Sequence, residues 1–580
     1  MGSENEEVIR GRSDADLLNK STTGASFLML TQLFTKMLTF LLNQLLIRLI
    51  SPRVFGISAY LEFIVSMVLF FSREGERLSV QRTRDISSEN DNGTKRRTDK
   101  YVEGTPVGTL QSIINFGYIP LVVGGPLSIA ILVWQYHSLN FQESLLTLPY
   151  YRVTVLLVWL LMMLELIAEP LYAISQFQLN FRKRSKYESV GVFGRCIITF
   201  AVIAIVQRTS RASNLEYDGL AVVAFAAGQF GYSLLIFLQY QLSFAKENQI
   251  KPPDEQNSLL IRKISTQLED RYYYFDPKIF AIWRSLFILM IFKHFLTEGD
   301  KLLINYLCTV EQQGTYAVVC NYGSIIARLV FQPIEESLRL LFTRMLSTKS
   351  KENIRKSYDI MQYLGIFYLN LSLLIGIAGY SNAAYFLLIL LGGKASKWAK
   401  TGIFDIFPQY IVYIPFLAFN GILEAFFNSV ADGSDIRRFS IFMSVLTIIV
   451  LCSLYAFITH FELGLSGLIL ANALNMALRI GYCSIYIKSF YSKNGLEIAY
   501  TNVLKRIGGS LVMFIIVAYC QYVTLDNNIK SSSITDVIKS ACICLIYLMF
   551  MIYSDRNILK DPFLDLKNRL LAKKKPSKQD

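Results

Sequence analysis

Charge is scarce in this chain, and the side chains that usually carry enzyme chemistry are scarcer. Only 18% of the 580 residues are Asp, Glu, Lys or Arg, against 53% hydrophobic, a balance that excludes a soluble enzyme with one greasy domain. Histidine occurs three times, at His137, His294 and His460, with no Cys or carboxylate at ligand spacing. The eight cysteines, Cys196, Cys308, Cys320, Cys452, Cys483, Cys520, Cys542 and Cys544, fall in or at the ends of apolar segments. That placement lacks the polar-loop spacing of a disulfide framework or zinc site. No metal, no cofactor and no catalytic residue are therefore expected. The first 23 residues carry Glu4, Glu6, Glu7 and Asp14 and no apolar run, so no cleavable signal peptide is expected and the first span would direct insertion. The longest polar stretches, 73–108 and 244–279, lack the apolar periodicity of a packed core and read as loops or short surface helices.

Long apolar runs are what the chain has instead. Spans are expected at 24–48, 54–72, 109–135, 153–178, 189–206, 219–243, 280–308, 314–345, 358–379, 404–431, 439–460, 464–489, 508–525 and 536–554. Each suits a helix crossing a hydrocarbon core of about 30 Å, and the segments are too long for barrel strands. With these boundaries, 38 Lys and Arg lie in connections on the side of the termini and 8 on the other, the remaining 12 of 58 lying inside spans. The positive-inside rule then places both termini in the cytoplasm. The net charge of +14 is mostly this topology signal, a basic face towards anionic lipid. No aromatic-basic motif supports nucleic-acid binding.

The two halves echo each other. Ser51 to Tyr60 reads SPRVFGISAY and Thr309 to Val318 reads TVEQQGTYAV, each with a hydroxyl residue, Gly five later and Ala three after that. Glu169 is followed by Arg182 and Ser185 at the spacing with which Glu424 is followed by Arg437 and Ser440. GLAVVAFA from Gly219 is matched by GLSGLILA from Gly464. Six spans per repeat is an even number, so the halves should be related by a pseudo-two-fold axis along the membrane normal. The expected fold is thus an all-α polytopic membrane protein of about 14 transmembrane helices, two pseudo-symmetric six-helix lobes plus two C-terminal helices. Its parts are a cytoplasmic tail at 1–23, an N-lobe at 24–243, an inter-lobe loop at 244–279, a C-lobe at 280–489, extra spans at 508–554 and a basic tail at 555–580.

Ionisable side chains at bilayer depth cost about 2.5–3.5 kcal/mol each on insertion scales, so a chain that keeps many is using or pairing them. Lys36, Glu62, Glu165, Glu169, Arg195, Arg284, Lys293, Arg328, Glu424 and Arg479 all fall inside expected spans. Mutual neutralisation or snorkelling would account for some; Lys36 and Arg328 are least able to snorkel. A cationic cavity between lobes would suit an anionic head such as a diphosphate, through charge-assisted hydrogen bonds. In KHFLTEGDKLLINYLC from Lys293, the residues Glu298, Gly299, Asp300 and Lys301 break an apolar run, as in a cavity-lining or discontinuous helix, or in a simple helix-loop-helix at the surface. In FQPIEESLRLLFTRML from Phe331, Pro333 would kink the span, and Glu335, Glu336, Arg339 and Arg344 fall on neighbouring turns where local ion pairing is expected.

At these residues the chain becomes recognisable. STTGASFLMLTQLFTKMLTFLLNQLLIRLISPRVFGISAYLEF, KHFLTEGDKLLINYLCTVEQQGTYAVVCNYGSIIARLVFQPIEESLRLLF and FNGILEAFFNSVA closely resemble the fungal Rft family of endoplasmic-reticulum membrane proteins, and the resemblance spans most of the chain. It implies the superfamily of the lipid II flippase and of the multidrug and toxin extrusion transporters. It also implies a role in N-linked glycosylation, with a dolichol-diphosphate-linked oligosaccharide as cargo and other N-glycosylation proteins as partners. Lys36, Arg73, Arg77, Glu298, Asp300, Lys301, Arg328, Glu335 and Glu336 stand where the family pattern has polar or charged residues. Of these, Lys36, Arg73, Arg77, Lys301 and Arg328 are the candidates for holding the diphosphate. Glu62, Glu169, Glu298, Asp300, Glu335, Glu336 and Glu424 are candidates for structural or gating roles.

Three functions compete on these residues. A glycolipid translocator of the endoplasmic-reticulum membrane would dock the diphosphate on basic residues between lobes and leave the dolichol tail in lipid. A small-solute antiporter on the same fold needs an acidic cation site, which Glu62, Glu165 and Glu169 could supply, but basic residues predominate inside the spans. A membrane chaperone or scaffold for glycosylation enzymes needs neither. A lumenal glycosyltransferase lacks an acidic pair in any sizeable lumenal loop.

Overall fold

The computed structural model describes residues 41–82 apart from 43, 100–178, 181–209, 214–266, 272–346, 350–393, 397–496, 500–525 and 530–554. Almost all of this is helix. In chain order the helices are α1 (Pro52–Arg82), α2 (Pro106–Phe116), α3 (Ile119–Tyr136), α4 (Leu139–Ser144), α5 (Tyr151–Phe177), α6 (Phe181–Thr209), α7 (Asn214–Ile250) and α8 (Pro277–Leu307). They continue as α9 (Val310–Ile326), α10 (Gln332–Leu346), α11 (Lys351–Leu374), α12 (Tyr380–Leu390), α13 (Ile403–Val430), α14 (Gly433–Tyr455), α15 (Gly464–Lys493), α16 (Tyr500–Thr524) and α17 (Ile534–Ser554). The chain divides into two compact units, Met1–Phe295 and Leu296–Asp580, with the division inside α8.

Eleven helical segments among the described residues are long and apolar enough to cross a bilayer. They coincide with eleven of the fourteen expected spans. Of the other three, 24–48 lies mostly outside the described residues, whereas 280–308 and 314–345 are helical as α8 and as α9 with α10. The second of these, 314–345, holds Arg328, Glu335, Glu336, Arg339 and Arg344.

Within the first unit α6 and α7 approach through glycine. A Cβ at Gly228 of α7 would lie 1.9 Å from Thr199 Oγ1 of α6, and one at Gly194 would lie 2.2 Å from Leu235 Cδ1. Where lipid tails are as apolar as Leu, such small-residue contacts replace the hydrophobic effect as the reason for helices to associate. Pro106 opens α2, and the Thr105 hydroxyl accepts from Gly108 N–H at 3.0 Å, a capped start with the missing Pro N–H at a position that needs none.

The described residues of 251–276 form a strap held to α2, not an unattached loop. α7 runs to Ile250, and the strap then forms a turn at Pro253–Glu255 and an antiparallel pair of Ile264–Ser265 with Tyr272–Tyr273. Two fully buried amides of α2 hold it down. Gln111 donates to the carbonyls of Ser258 at 2.9 Å and Leu260 at 3.1 Å and accepts from Ser258 N–H, while Asn115 donates to the carbonyls of Arg262 and Tyr274 and accepts from Arg262 N–H. Burial drives the Tyr273 phenol above its ordinary pKa, with Asp276 and Glu103 adding to the shift.

The second unit carries three π-helical turns, Ala327–Phe331, Ile375–Gly379 and Ala456–His460. The first immediately precedes Pro333. A proline inside a helix lacks an N–H and its ring clashes with the carbonyl four residues earlier, here Leu329; the widened π turn falls at that carbonyl, and helix runs on through it from Val310 to Leu346. At the end of this unit, α12, α16 and α17 are joined by a buried amide and hydroxyl network. Ser381 donates to Gln521, Asn382 and Gln521 both donate to Ser540, and Ser531 donates to Asn382. None of the eight cysteines forms a disulfide.

Candidate functional site

A cluster of ion pairs in the first unit is built by α1 and α5. Arg73 and Arg77 are four residues apart on α1, and Glu165 and Glu169 are four apart on α5; residues at that spacing share a helix face, so two cations meet two carboxylates in register. Arg73 Nη1 reaches Glu165 Oε2 at 2.7 Å and Glu169 Oε1 at 3.5 Å. Arg77 grips Glu169 through both Nε, at 3.0 Å, and Nη2. Glu169 is 2% exposed, and Pro170 stands next to it inside the helix. Ser233 of α7 donates to Glu165 Oε1 at 2.9 Å, and the Arg77 guanidinium lies 3.8 Å from the centre of the Tyr172 ring. Between the two arginines stands Glu76, 0% exposed, with neither carboxyl oxygen hydrogen-bonded among the described residues.

Arg73 and Arg77 are thus neutralised, two cations against two anions. Outside that cluster, Glu62 of α1 takes both Nη1 and Nη2 of Arg195 of α6, at 3.1 and 3.2 Å. In the second unit Glu424 of α13 pairs with Arg479 of α15 and also accepts from Asn420 Nδ2 at 3.0 Å. Glu335 of α10 comes alongside: a Cβ on Gly421, one turn before Glu424, would sit 2.7 Å from Glu335 Oε2.

The two halves keep an acid and move its cation. Glu169 and Glu424 are counterparts in the sequence repeat, 255 residues apart, and both are ion-paired. The residue 258 positions after Arg77, at the Gly56 to Gly314 offset, is Glu335. Where the first unit draws its cation from α1, the second has an anion on the matching face and draws its cation, Arg479, from α15.

The remaining candidates are placed as follows. Arg328, in the first π turn, is exposed and donates to the backbone carbonyl of Asn321 at 2.9 Å and to its side chain at 3.2 Å. Lys301 and Glu336 are exposed. Glu298 and Asp300 lie within helical α8, so the run they interrupt is continuous helix at the backbone, but their side chains fall outside the described residues, as does all of Lys36. Sequence reasoning missed the roles of Ser233, Tyr172 and Asn420. The matched four-residue spacings on α1 and α5 were the available signal for the pairing itself.

This arrangement gives each unit ion-paired anchor points in its apolar interior. Comparison with known proteins gives it a context. The fold resembles the lipid II flippase MurJ in its inward closed conformation, with a TM-score of 0.52 and 13% identity over 91% of this chain and 99% of that one. A Candida albicans protein named Man(5)GlcNAc(2)-PP-dolichol translocation protein RFT1 is 40% identical over 97% of this chain and 98% of its own length. A Saccharomyces cerevisiae protein of the same name is 42% identical over 82% of this chain and 84% of its own. The sequence profile of the Rft protein family matches residues 20–564, and on that match and these identities the chain belongs to the Rft family.

Proposed function

We propose that the protein serves the translocation of Man(5)GlcNAc(2)-PP-dolichol from the cytoplasmic to the lumenal leaflet of the endoplasmic-reticulum membrane, in N-linked glycosylation, and that it is not an enzyme. The observation that carries this reading is the identity of about two residues in five, over nearly the whole chain, to a protein named for that translocation. The fold shared with a lipid flippase supports it. In this proposal the lobes are 24–243 and 280–489, the inter-lobe loop is 244–279, the two helices of 508–554 are appended, and the tails at 1–23 and 555–580 are cytoplasmic. Fourteen spans are proposed, adding 24–48, 280–308 and 314–345 to the eleven apolar ones. Alternating access would come from rocking of one lobe against the other.

Lys36, Arg73, Arg77, Lys301 and Arg328 are proposed to meet the diphosphate. For Arg73 and Arg77 this requires an exchange in which phosphate oxygens replace the carboxylates of Glu165 and Glu169. That requirement favours a second reading as well: a pathway helper that holds the glycolipid, or partner glycosylation proteins, need not release those ion pairs. The separating experiment is reconstitution of purified protein into liposomes carrying the natural glycolipid in one leaflet. Protein-dependent appearance of glycolipid in the opposite leaflet is expected; its absence, with protein that still restores glycosylation in deleted cells, selects the helper. In such cells, replacing Lys36 and Arg328 together by Gln at normal abundance should leave glycoproteins underglycosylated, and full glycosylation would remove both residues from the site.

A further inference from the structure

Two cavities in the second unit lie one above the other along the same helices. The lower, about 450 Å³, is bounded by single faces of α11, α13 and α15: Met361, Gly365 and Leu369 on the first, Phe416 and Phe419 on the second, Ile487 on the third. Its walls are almost wholly apolar. The upper, about 640 Å³, sits where α11 and α14 begin and α13 and α15 end, and four charged residues reach it: Asp432, Asp435, Arg438 and Lys493. Ile354 and Phe490 line the upper space and Tyr358 and Tyr491 the lower, so the two meet within one turn of each helix. At that level the Ser357 and Tyr491 hydroxyls bond at 3.1 Å and Phe426, Phe490 and Tyr491 stack edge to face or tilted, an aromatic collar between the apolar and the charged space.

The charges of the upper space are only partly committed. Asp432 Oδ1 caps α14, accepting from the backbone N–H groups of Ser434 and Asp435 at 2.9 and 2.8 Å and from the Ser434 hydroxyl. The Asp435 backbone bond, then the Ser434 hydroxyl, hold the Asp432 carboxyl below its ordinary pKa, so it is ionised at neutral pH. Asp435 Oδ2 accepts from Tyr486 at 2.8 Å, and its Oδ1 is 4.0 Å from Arg438. Asp432 keeps its second oxygen without a donor among the described residues, and Asp435 Oδ1 has only the long Arg438 contact. Arg438 has no closer ionic partner than that, and Lys493 has none among the described residues.

We infer that these cavities form a binding site for one zwitterionic glycerophospholipid with a primary ammonium, of the phosphatidylethanolamine class, its phosphate on Arg438 and Lys493, its ammonium on Asp432 and Asp435, and one acyl chain in the apolar groove. Two cations and two anions match a head of no net charge. A diphosphate or an anionic head would set surplus negative charge against both carboxylates, so the site is distinct from one holding the proposed cargo. The α11 face from Tyr358 to Ser372 runs ~21 Å at 1.5 Å per residue, longer than half of a ~30 Å hydrocarbon core, which accommodates most of a chain.

The test uses full-length protein, delipidated in detergent and titrated with dioleoyl lipids under native mass spectrometry. One phosphatidylethanolamine is expected to be retained, with phosphatidylglycerol and a polyprenyl diphosphate bound more weakly. Arg438→Ala with Lys493→Ala should weaken retention about ten-fold, the loss of a charge-assisted contact. Gly365→Phe, at a position where an added Cβ meets no atom within 4 Å, should block the chain while leaving the melting temperature unchanged. Absence of a retained lipid, equal or tighter binding of the anionic lipids, or retention that survives both variants would overturn the inference.

Discussion

Two glutamates close together, Glu76 on α1 and Glu169 on α5, carry opposite energetic signs. Glu169 is buried and doubly held by Arg77, with Arg73 at 3.5 Å, so replacing it by Gln leaves guanidinium charge with less compensation. Removing one partner of a buried pair costs about 3–5 kcal/mol; Glu169→Gln should therefore lower the melting temperature of the detergent-solubilised protein sharply. Adding Arg77→Gln should recover part of the loss, and strict additivity in that double-mutant cycle would show that the pair is not coupled. Glu76 predicts the reverse. Fully buried with both oxygens lacking a donor among the described residues, it bears a desolvation penalty of about 1–3 kcal/mol, so Glu76→Leu should raise the melting temperature. A lowered value would mean the carboxyl has a partner the argument omits. Sequence alone placed Glu165 and Glu169 inside a span, and the four-residue spacings shared with Arg73 and Arg77 made a pairing readable. It did not reveal that Glu335 lies beside Gly421, one turn before Glu424, because a repeat in helix order need not be a repeat in charge.

At the scale of elements, side chains that look unremarkable in the sequence fix where helices sit. Gly117, in the turn between α2 and α3, lets that turn touch α5: a Cβ there would be 2.5 Å from Pro170 Cα. Backbone cannot yield as a side-chain tip can, so Gly117→Ala should displace α5 beside Glu169 and destabilise the protein by more than the usual 1 kcal/mol of a point change; a melting curve like that of the parent would refute the contact. Gln111 and Asn115 act on the strap. Asn115→Ala leaves the carbonyls of Arg262 and Tyr274 and the Arg262 N–H without their amide, and hydrogen exchange at 258–266 should then rise while α6 and α7 stay protected. The hydrophobic runs were legible because a span needs about 20 apolar residues and little else. The strap was not, since its order comes from two amides about 150 residues upstream of it rather than from any periodicity of its own. The π turn before Pro333 was half legible: proline signals a disturbance, but whether a helix kinks or widens depends on the neighbours against which it packs.

For the whole molecule the decisive sequence feature is the distribution of Lys and Arg, 38 against 8 across the expected connections. That asymmetry predicts which side of the membrane receives each connection, because short loops rich in Lys and Arg are retained in the cytoplasm. It assigns the stretch around Thr94 to the cytoplasm and the connection between α12 and α13, with Lys394, Lys397 and Lys400, to the lumen, although that connection is itself basic. The local charge of the second loop opposes the global bias, so the two sites discriminate between them. An N-glycosylation acceptor inserted at 394–400 should be modified in cells, and the natural sequon Asn92-Gly93-Thr94 should stay bare, each read as presence or absence of an endoglycosidase-sensitive mass shift. Cysteine accessibility at the same positions in sealed microsomes should give the complementary pattern. Modification at Asn92 would invert the orientation, and with it the direction in which the proposed cargo has to move. Modification at neither site would leave the inserted connection buried or too close to the membrane, and an acceptor moved to 207–218, lumenal on the same count, should then be modified if the orientation is right.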